Sequence, residues 1–242
     1  MDAISTKNLT KTYKDVLAVD GLNLTIRQGE LFSLLGTNGA GKTTAIKMLS
    51  CLTAPTAGDA WVMGQSITAN RNNVKKIIGV SPQETAIAPN LSVRENLELI
   101  CGIYGFSQSQ CQEKVAELSG LFDLSEVLSK KAGKLSGGWQ RRVSIAMALI
   151  GQPNILFLDE PTLGLDVLAR RSLWDIIRRL KGKITVILTT HYMEEAQVLS
   201  DRIGIMKDGK LLTVGTAQAL MTQTNAATFE DAFIAIVGGV AP

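Results

Sequence analysis

The sequence predicts an α/β protein with a mostly parallel sheet, and three observations predict it. Residues 31–35, 155–159 and 184–189 are continuous apolar runs, the second ending in an acid. That is the pattern of strands covered on both faces. Segments of helical period join them, as in a layered α/β fold. Between the first run and its helix lies GTNGAGKTT, residues 36–44, a glycine-rich turn set between strand and helix.

Each element has its own reason. Leu22, Leu24 and Ile26 alternate with Asn23, Thr25 and Arg27, a half-buried strand of period 2, so the N-terminal region is expected to be antiparallel sheet. Gln28-Gly29 turns the chain into the run 31–35. After the glycine-rich turn, Ala45, Ile46, Met48, Leu49 and Leu52 keep helical spacing. Residues 77–80 form a short apolar strand broken by Pro82. From Pro89 to about Ile150 the chain turns helical. Ser92 with Glu95, and Ser107 with Gln110, are capping boxes. The first opens a face of Val93, Leu97, Ile100, Cys101 and Tyr104, ended by Gly105. The second opens one of Val115, Leu118 and Phe122. Asp166 caps a helix whose face is Leu173, Ile176, Ile177 and Leu180, closed by Gly182. Residues 203–206 and 211–214 flank Asp208-Gly209, a strong hairpin signal. Thr228 with Asp231 caps a last helix bearing Phe229, Phe233 and Ile236.

Composition narrows the class. The chain has 242 residues, 45% of them hydrophobic, enough for one large α/β unit with an insertion or two small domains. A net charge of +3, spread along the chain, does not argue for nucleic acid or an anionic membrane. The first residues hold no apolar core of a secretion signal, and no run of 18 apolar residues exists. Cys51, Cys101 and Cys111 are an odd set without metal spacing, as expected of reduced thiols in a cytosolic protein.

The motifs carry the chemistry. Gly36, four residues (Thr37, Asn38, Gly39, Ala40), then Gly41, Lys42 and Thr43 fit the phosphate-binding spacing called Walker A, with Thr44 following. A polyphosphate is held by inward-pointing backbone N–H groups, which side chains at the three glycines would obstruct. The helix starting near Lys42 adds its free N–H groups and positive dipole end. In that spacing Lys42 can reach the β- and γ-phosphates, and the Thr43 hydroxyl can ligate Mg²⁺. The segment LSGGWQ, residues 135–140, puts Ser136, Gly137 and Gly138 at a second helix N-terminus, either a plain cap or a second anion site. In ILFLDEP, residues 155–161, a buried strand presents Asp159 and Glu160 at its C-terminal end, where open α/β sheets bind ligands. Asp159 is placed to hold Mg²⁺; Glu160, aimed differently, to orient an attacking water. His191, the one histidine, also follows a strand end.

In this order and spacing, GTNGAGKTT, LSGGWQ, ILFLDEP, Asp166 and His191 resemble the nucleotide-binding subunit of an ATP-binding cassette transporter, over roughly residues 3–215. The resemblance implies a single ATPase domain with ATP and Mg²⁺ as ligands. Residues 1–88 and 151–222 would form the core with its β region, 89–150 a helical signature subdomain and 223–242 a tail helix. It implies roles by position. Tyr13 stacks on adenine. Gln83 touches Mg²⁺ and the attacking water and couples to the membrane subunit. Ser136, Gly137 and Gly138 belong to the segment that meets the γ-phosphate of ATP on the opposite subunit. Asp166 lines the dimer seam, and His191 contacts the γ-phosphate. Two chains, alike or different, would sandwich two ATPs, drive a transmembrane permease on a separate chain, and sit at the cytoplasmic face of the membrane. No nucleic acid is expected.

The departures point to a branch. Trp139 stands where many relatives have Gln, and the tail 228–237 is short; both are more like multidrug and polysaccharide exporters. The regulatory domain of sugar importers is not expected after Pro242. Alternatives are the ATPase of an importer, or a soluble relative acting in assembly or on the ribosome.

Overall fold

The computed structural model describes residues 1–239. Its strands are β1 (Asp2–Tyr13), β2 (Val16–Leu22), β3 (Thr25–Arg27), β4 (Leu31–Gly36), β5 (Ala57–Val62), β6 (Gln65–Ser66), β7 (Ile78–Ser81), β8 (Ile155–Asp159), β9 (Thr185–Thr190), β10 (Arg202–Lys207) and β11 (Lys210–Gly215). Its helices are α1 (Lys42–Leu49), α2 (Arg71–Ile77), α3 (Val93–Ile103), α4 (Gln108–Leu121), α5 (Gly137–Leu149), α6 (Val167–Leu180), α7 (Met193–Leu199), α8 (Ala217–Gln223) and α9 (Phe229–Gly238). The chain divides into two compact units, Met1–Lys76 with the chain from Lys181 onward, and Ile77–Leu180.

The first unit holds an antiparallel sheet in the order β2-β1-β5-β6, with β3 also on β1. Leu22, Leu24 and Ile26 are all buried, as their alternation requires, but the run is split between β2 and β3. Its second sheet runs β11-β10-β4-β9, with β4 parallel to both neighbours and every residue of β4 and β9 buried. That full burial is why the sequence reads as continuous apolar runs there. The β10–β11 turn has Asp208 and Gly209 at φ of +47° and +79°, the left-handed pair of a tight hairpin. One face of this sheet is closed by a cluster of Leu35, Ala196, Ile203, Ile205, Leu220 and Phe229, against which Phe233 and Ile236 pack. The tail helix therefore packs on its own unit, and the Lys207 ammonium donates to its Val237 carbonyl at 2.7 Å. Val240, Ala241 and Pro242 lie outside the described residues.

The second unit pairs β7 with β8 in parallel, packs α5 on both strands, and sets α3, α4 and α6 against α5. It contains the expected helical segment 89–150 and adds β7, β8 and α6 to it. Both capping boxes form, with Ser92 and Glu95, and Ser107 and Gln110, exchanging hydrogen bonds. The Ser92 contacts hold the Glu95 carboxyl below its ordinary range. Ile77 ends α2 rather than starting β7, and the short helices α2, α7 and α8 were not legible as helices. All three cysteines are free thiols. Burial, and then a hydrogen bond with Cys111, pushes the Cys101 thiol up to about 12.

Candidate functional site

The first unit carries the glycine-rich turn between β4 and α1. Lys42 is buried, and its ammonium donates to the carbonyls of Gly36 at 2.8 Å and Thr37 at 3.1 Å. A buried cation is thus already poised over the loop's own oxygens, a position from which it can exchange to phosphate oxygens. Gly41 has φ +99°, and a Cβ there would lie 2.4 Å from the Ala18 carbonyl of β2. Both the conformation and the close approach demand glycine. A contact not visible in sequence braces the loop: Gly209, in the β10–β11 turn, donates to the Ala40 carbonyl at 3.1 Å and accepts from the Asp20 N–H at 2.9 Å. Thr43 and Thr44 are half-buried at the start of α1.

Tyr13, at the end of β1, is 42% exposed, and the Lys11 ammonium lies 4.9 Å from its ring centre. His191 is half-buried just beyond β9, its ring centre 4.2 Å from that of Tyr192. The Thr190 hydroxyl accepts from the Tyr192 N–H at 2.9 Å and fixes the chain as it leaves the strand.

In the second unit Asp159 and Glu160 are both buried at the end of β8. Glu160 has φ +48°, left-handed for a residue with a Cβ. That conformation ends the strand's alternation between the two acids. Gln83 is exposed in the loop after β7. Its backbone carbonyl and that of Pro82 accept from the buried Arg141 guanidinium of α5. Arg141 is a residue that sequence reasoning passed over, because a contact to distant backbone carbonyls leaves no motif.

Ser136, exposed, has the backbone angles of an N-cap, yet its hydroxyl makes no cap hydrogen bond. Gln140 closes the turn before it by donating to the carbonyls of Ala132 at 3.2 Å and Leu135 at 3.0 Å. Trp139 lies over the Arg142 guanidinium, 4.6 Å from ring centre to Cζ, beside a cleft of about 260 Å³ that also reaches Ser136, Leu168 and Ser172. Burial lowers the Arg142 pKa, with Asp123 opposing the shift. Asp166 caps α6 by accepting from the Ala169 N–H at 2.9 Å.

The donor set fits a polyphosphate: a buried ammonium, a glycine-lined turn and a helix N-terminus. It also fits Mg²⁺. Among the described residues no three His, Cys, Asp or Glu gather to cage a metal, and Mg²⁺ is ordinarily held by one or two side chains together with phosphates and water.

The profile of the ABC transporter family matches residues 19–163, well over half of the chain. The chain belongs to the ABC transporter family. It is 40% identical over 220 residues to the Nod factor export ATP-binding protein I of Burkholderia orbicola, covering 90% of this chain and 72% of that one. It is 38% identical over 240 residues to the probable multidrug ABC transporter ATP-binding protein YbhF of Escherichia coli, covering 97% of this chain and 41% of that one. A human relative, phospholipid-transporting ATPase ABCA3, is 40% identical over 218 residues, 88% of this chain; the chain spans 13% of its length. The dimeric post-hydrolysis structure of the ATP-binding cassette MJ0796, bound to ADP and Pi, superposes with a TM-score of 0.79 at 30% identity, covering 88% of this chain and 98% of that one. The ABC chain's α/β fold, with its antiparallel N-terminal sheet, is therefore that of an ABC cassette. Among its described residues no helix is long and apolar enough to cross a membrane.

Proposed function

We propose that the chain binds and hydrolyses ATP as the nucleotide-binding subunit of an exporter, dimerising on ATP and driving a transmembrane permease on a separate chain at the cytoplasmic face of the membrane. The observation that carries this reading is the pairing of a complete phosphate loop, with Lys42 already buried over it, and a Ser136 hydroxyl left uncommitted at a second helix N-terminus. Export over import is supported by the multidrug and Nod factor names of the two bacterial relatives.

In this reading the backbone N–H groups of residues 36–44 and Lys42 bind the phosphates, and Tyr13 stacks on the adenine. Thr43, Asp159 and Gln83 hold Mg²⁺, which when bound neutralises charge on the phosphates. Glu160 orients the attacking water. His191, together with Ser136, Gly137 and Gly138 of a second copy or a related chain, contacts the γ-phosphate, with Asp166 at the seam. No side chain forms a covalent intermediate; the residues act by positioning and by stabilising charge.

Sedimentation velocity on Glu160→Gln tests the reading. Removing a positioned base slows a reaction about 10²- to 10⁴-fold. ATP then persists, and the variant is expected to run as a dimer with ATP and a monomer with ADP. Adding Ser136→Arg, a long cation in the second anion site, is expected to restore the monomer. A slow variant that stays monomeric in ATP and Mg²⁺ refutes dimerisation by the chain alone. A variant that hydrolyses at the full rate refutes the role of Glu160.

A further inference from the structure

We propose that Arg141 is a positioning residue that ties the Ser136-Gly137-Gly138 turn to Gln83 through helix α5. The inference rests on the proposed part of Gln83 in hydrolysis and adds to it a route by which the signature turn controls that glutamine.

The route is a register between α5 and β7. Arg141, Ser144 and Ala148 are spaced i, i+3, i+7 and share one face of α5. Arg141 donates one guanidinium nitrogen to the Pro82 carbonyl at 2.6 Å and another to the Gln83 carbonyl at 2.5 Å. The Ser144 hydroxyl lies 3.0 Å from that of Ser81, the last residue of β7. A Cβ on Gly79 would stand 2.2 Å from the Ala148 carbonyl, so the strand there touches the helix backbone directly. Seven helical residues span about 10 Å, and the step from Gly79 to Pro82 or Gln83 spans about 10–13 Å, so the contacts stay in step along the whole length. The helix and the root of the Gln83 loop are thus joined at three successive levels.

The arginine is the joint that matters. Consecutive carbonyls of an extended chain point in opposite directions, yet those of Pro82 and Gln83 both meet one guanidinium. Its planar fork holds the chain in the bend by which it leaves β7, and a lysine's point charge does not reproduce that fork. On another side of α5 the next residue, Arg142, donates to the Ser172 hydroxyl of α6 at 2.6 Å and lies over Trp139. The second turn of α5, directly after the turn that Ser136 opens, is thus fastened to α6 by one arginine and to the Gln83 loop by the other. A ligand that shifts or fixes the N-terminus of α5, where Ser136 waits, shifts or fixes the backbone that carries Gln83.

The test is a double-mutant cycle on the full chain, read as phosphate release from MgATP with kcat and KM resolved. Arg141→Lys is expected to lower kcat roughly 10- to 100-fold and to move KM for ATP less than about threefold, the size of effect that a misplacement of about 1 Å produces. Gln83→Ala alone is expected to lower kcat as well. Adding Arg141→Lys to Gln83→Ala is then expected to cause less than about a twofold further loss, because the group being positioned is gone. Losses that multiply in full, or a raised KM at unchanged kcat, overturn the proposal, as does a Gln83→Ala protein of full activity. Should Arg141→Lys fail to fold, Arg141→Gln, which keeps an amide donor for one carbonyl, takes its place in the same cycle. Failure of the underlying reading looks different: the unsubstituted chain itself would release no phosphate, and the coupling would fall with it.

Discussion

In the phosphate loop Lys42 is buried and its ammonium already rests on the carbonyls of Gly36 and Thr37, whereas at the signature turn Ser136 is exposed and its hydroxyl caps nothing. Both are glycine-bearing turns that open a helix. The first is closed in by its own unit: β2 presses on Gly41, and the Gly209 turn is hydrogen-bonded to Ala40. The second presents its donors outward beside the Trp139 cleft. In the proposed reading the first turn is an anion site finished by the chain that carries it, and the second is left for a ligand carried by a second chain.

The largest expected difference between the two lies in ATP binding by the monomer. Lys42→Ala removes a charged donor from a closed site, where each such hydrogen bond is worth about 1.5–3 kcal/mol, so affinity is expected to fall by about 100-fold or more. Ser136→Arg, tested in the monomer, is expected to leave affinity within about a factor of two, since an open turn without a partner contributes little. Calorimetry on both variants decides. If Ser136→Arg weakens monomer binding as Lys42→Ala does, the two turns serve one nucleotide within one chain and the comparison fails.

A smaller effect sharpens the account of the closed site. Tyr13→Ala is expected to weaken ATP and ADP alike by about 1–3 kcal/mol, the worth of an aromatic stacked on a base, and to leave pyrophosphate binding unchanged. Equal losses for pyrophosphate and ATP would show that Tyr13 acts on the loop's shape rather than on the base.

What could be read from the sequence follows the same division. The phosphate loop, the capping boxes and the Asp208-Gly209 turn are local: each is specified within a few residues, and each stands in the structure where the sequence put it. The helix α2 was not legible because RNNVKKI buries only Val74, so it has no apolar period to find. The split of the alternating run between β2 and β3 was hidden because burial alternates straight through Asn23 and Leu24; both strands pair with β1, and the ladder is interrupted between them where the Thr6 hydroxyl accepts from the Leu24 N–H. The hold of Arg141 on Pro82 and Gln83 spans 58 or more residues and ends on backbone oxygens, which every residue type supplies. No side-chain pattern could have announced it.

The smallest expected effect is the most discriminating, because it asks what the Ser136 hydroxyl does in the free chain. Ser107 and Ser136 have nearly the same backbone, φ −64° and ψ 163° against φ −64° and ψ 158°. Both are therefore in the conformation from which a serine caps a helix. Ser107 uses it: its hydroxyl accepts from the Gln110 N–H at 3.3 Å, and the Gln110 side chain returns a bond to the Ser107 N–H at 2.9 Å. Ser136 does not. Removing a working cap costs about 1 kcal/mol, so Ser107→Ala is expected to lower the unfolding free energy by about that amount. Ser136→Ala removes a hydroxyl with no helix bond to lose and is expected to change stability by less than about 0.5 kcal/mol. Urea denaturation of the two variants, without nucleotide, measures both. A loss of about 1 kcal/mol in Ser136→Ala would make that hydroxyl an ordinary cap and its exposure incidental. A silent Ser136→Ala that also weakens the ATP-dependent dimer of Glu160→Gln would place the hydroxyl's whole contribution outside the folding of its own chain, which is what separates the unfinished turn from the finished one.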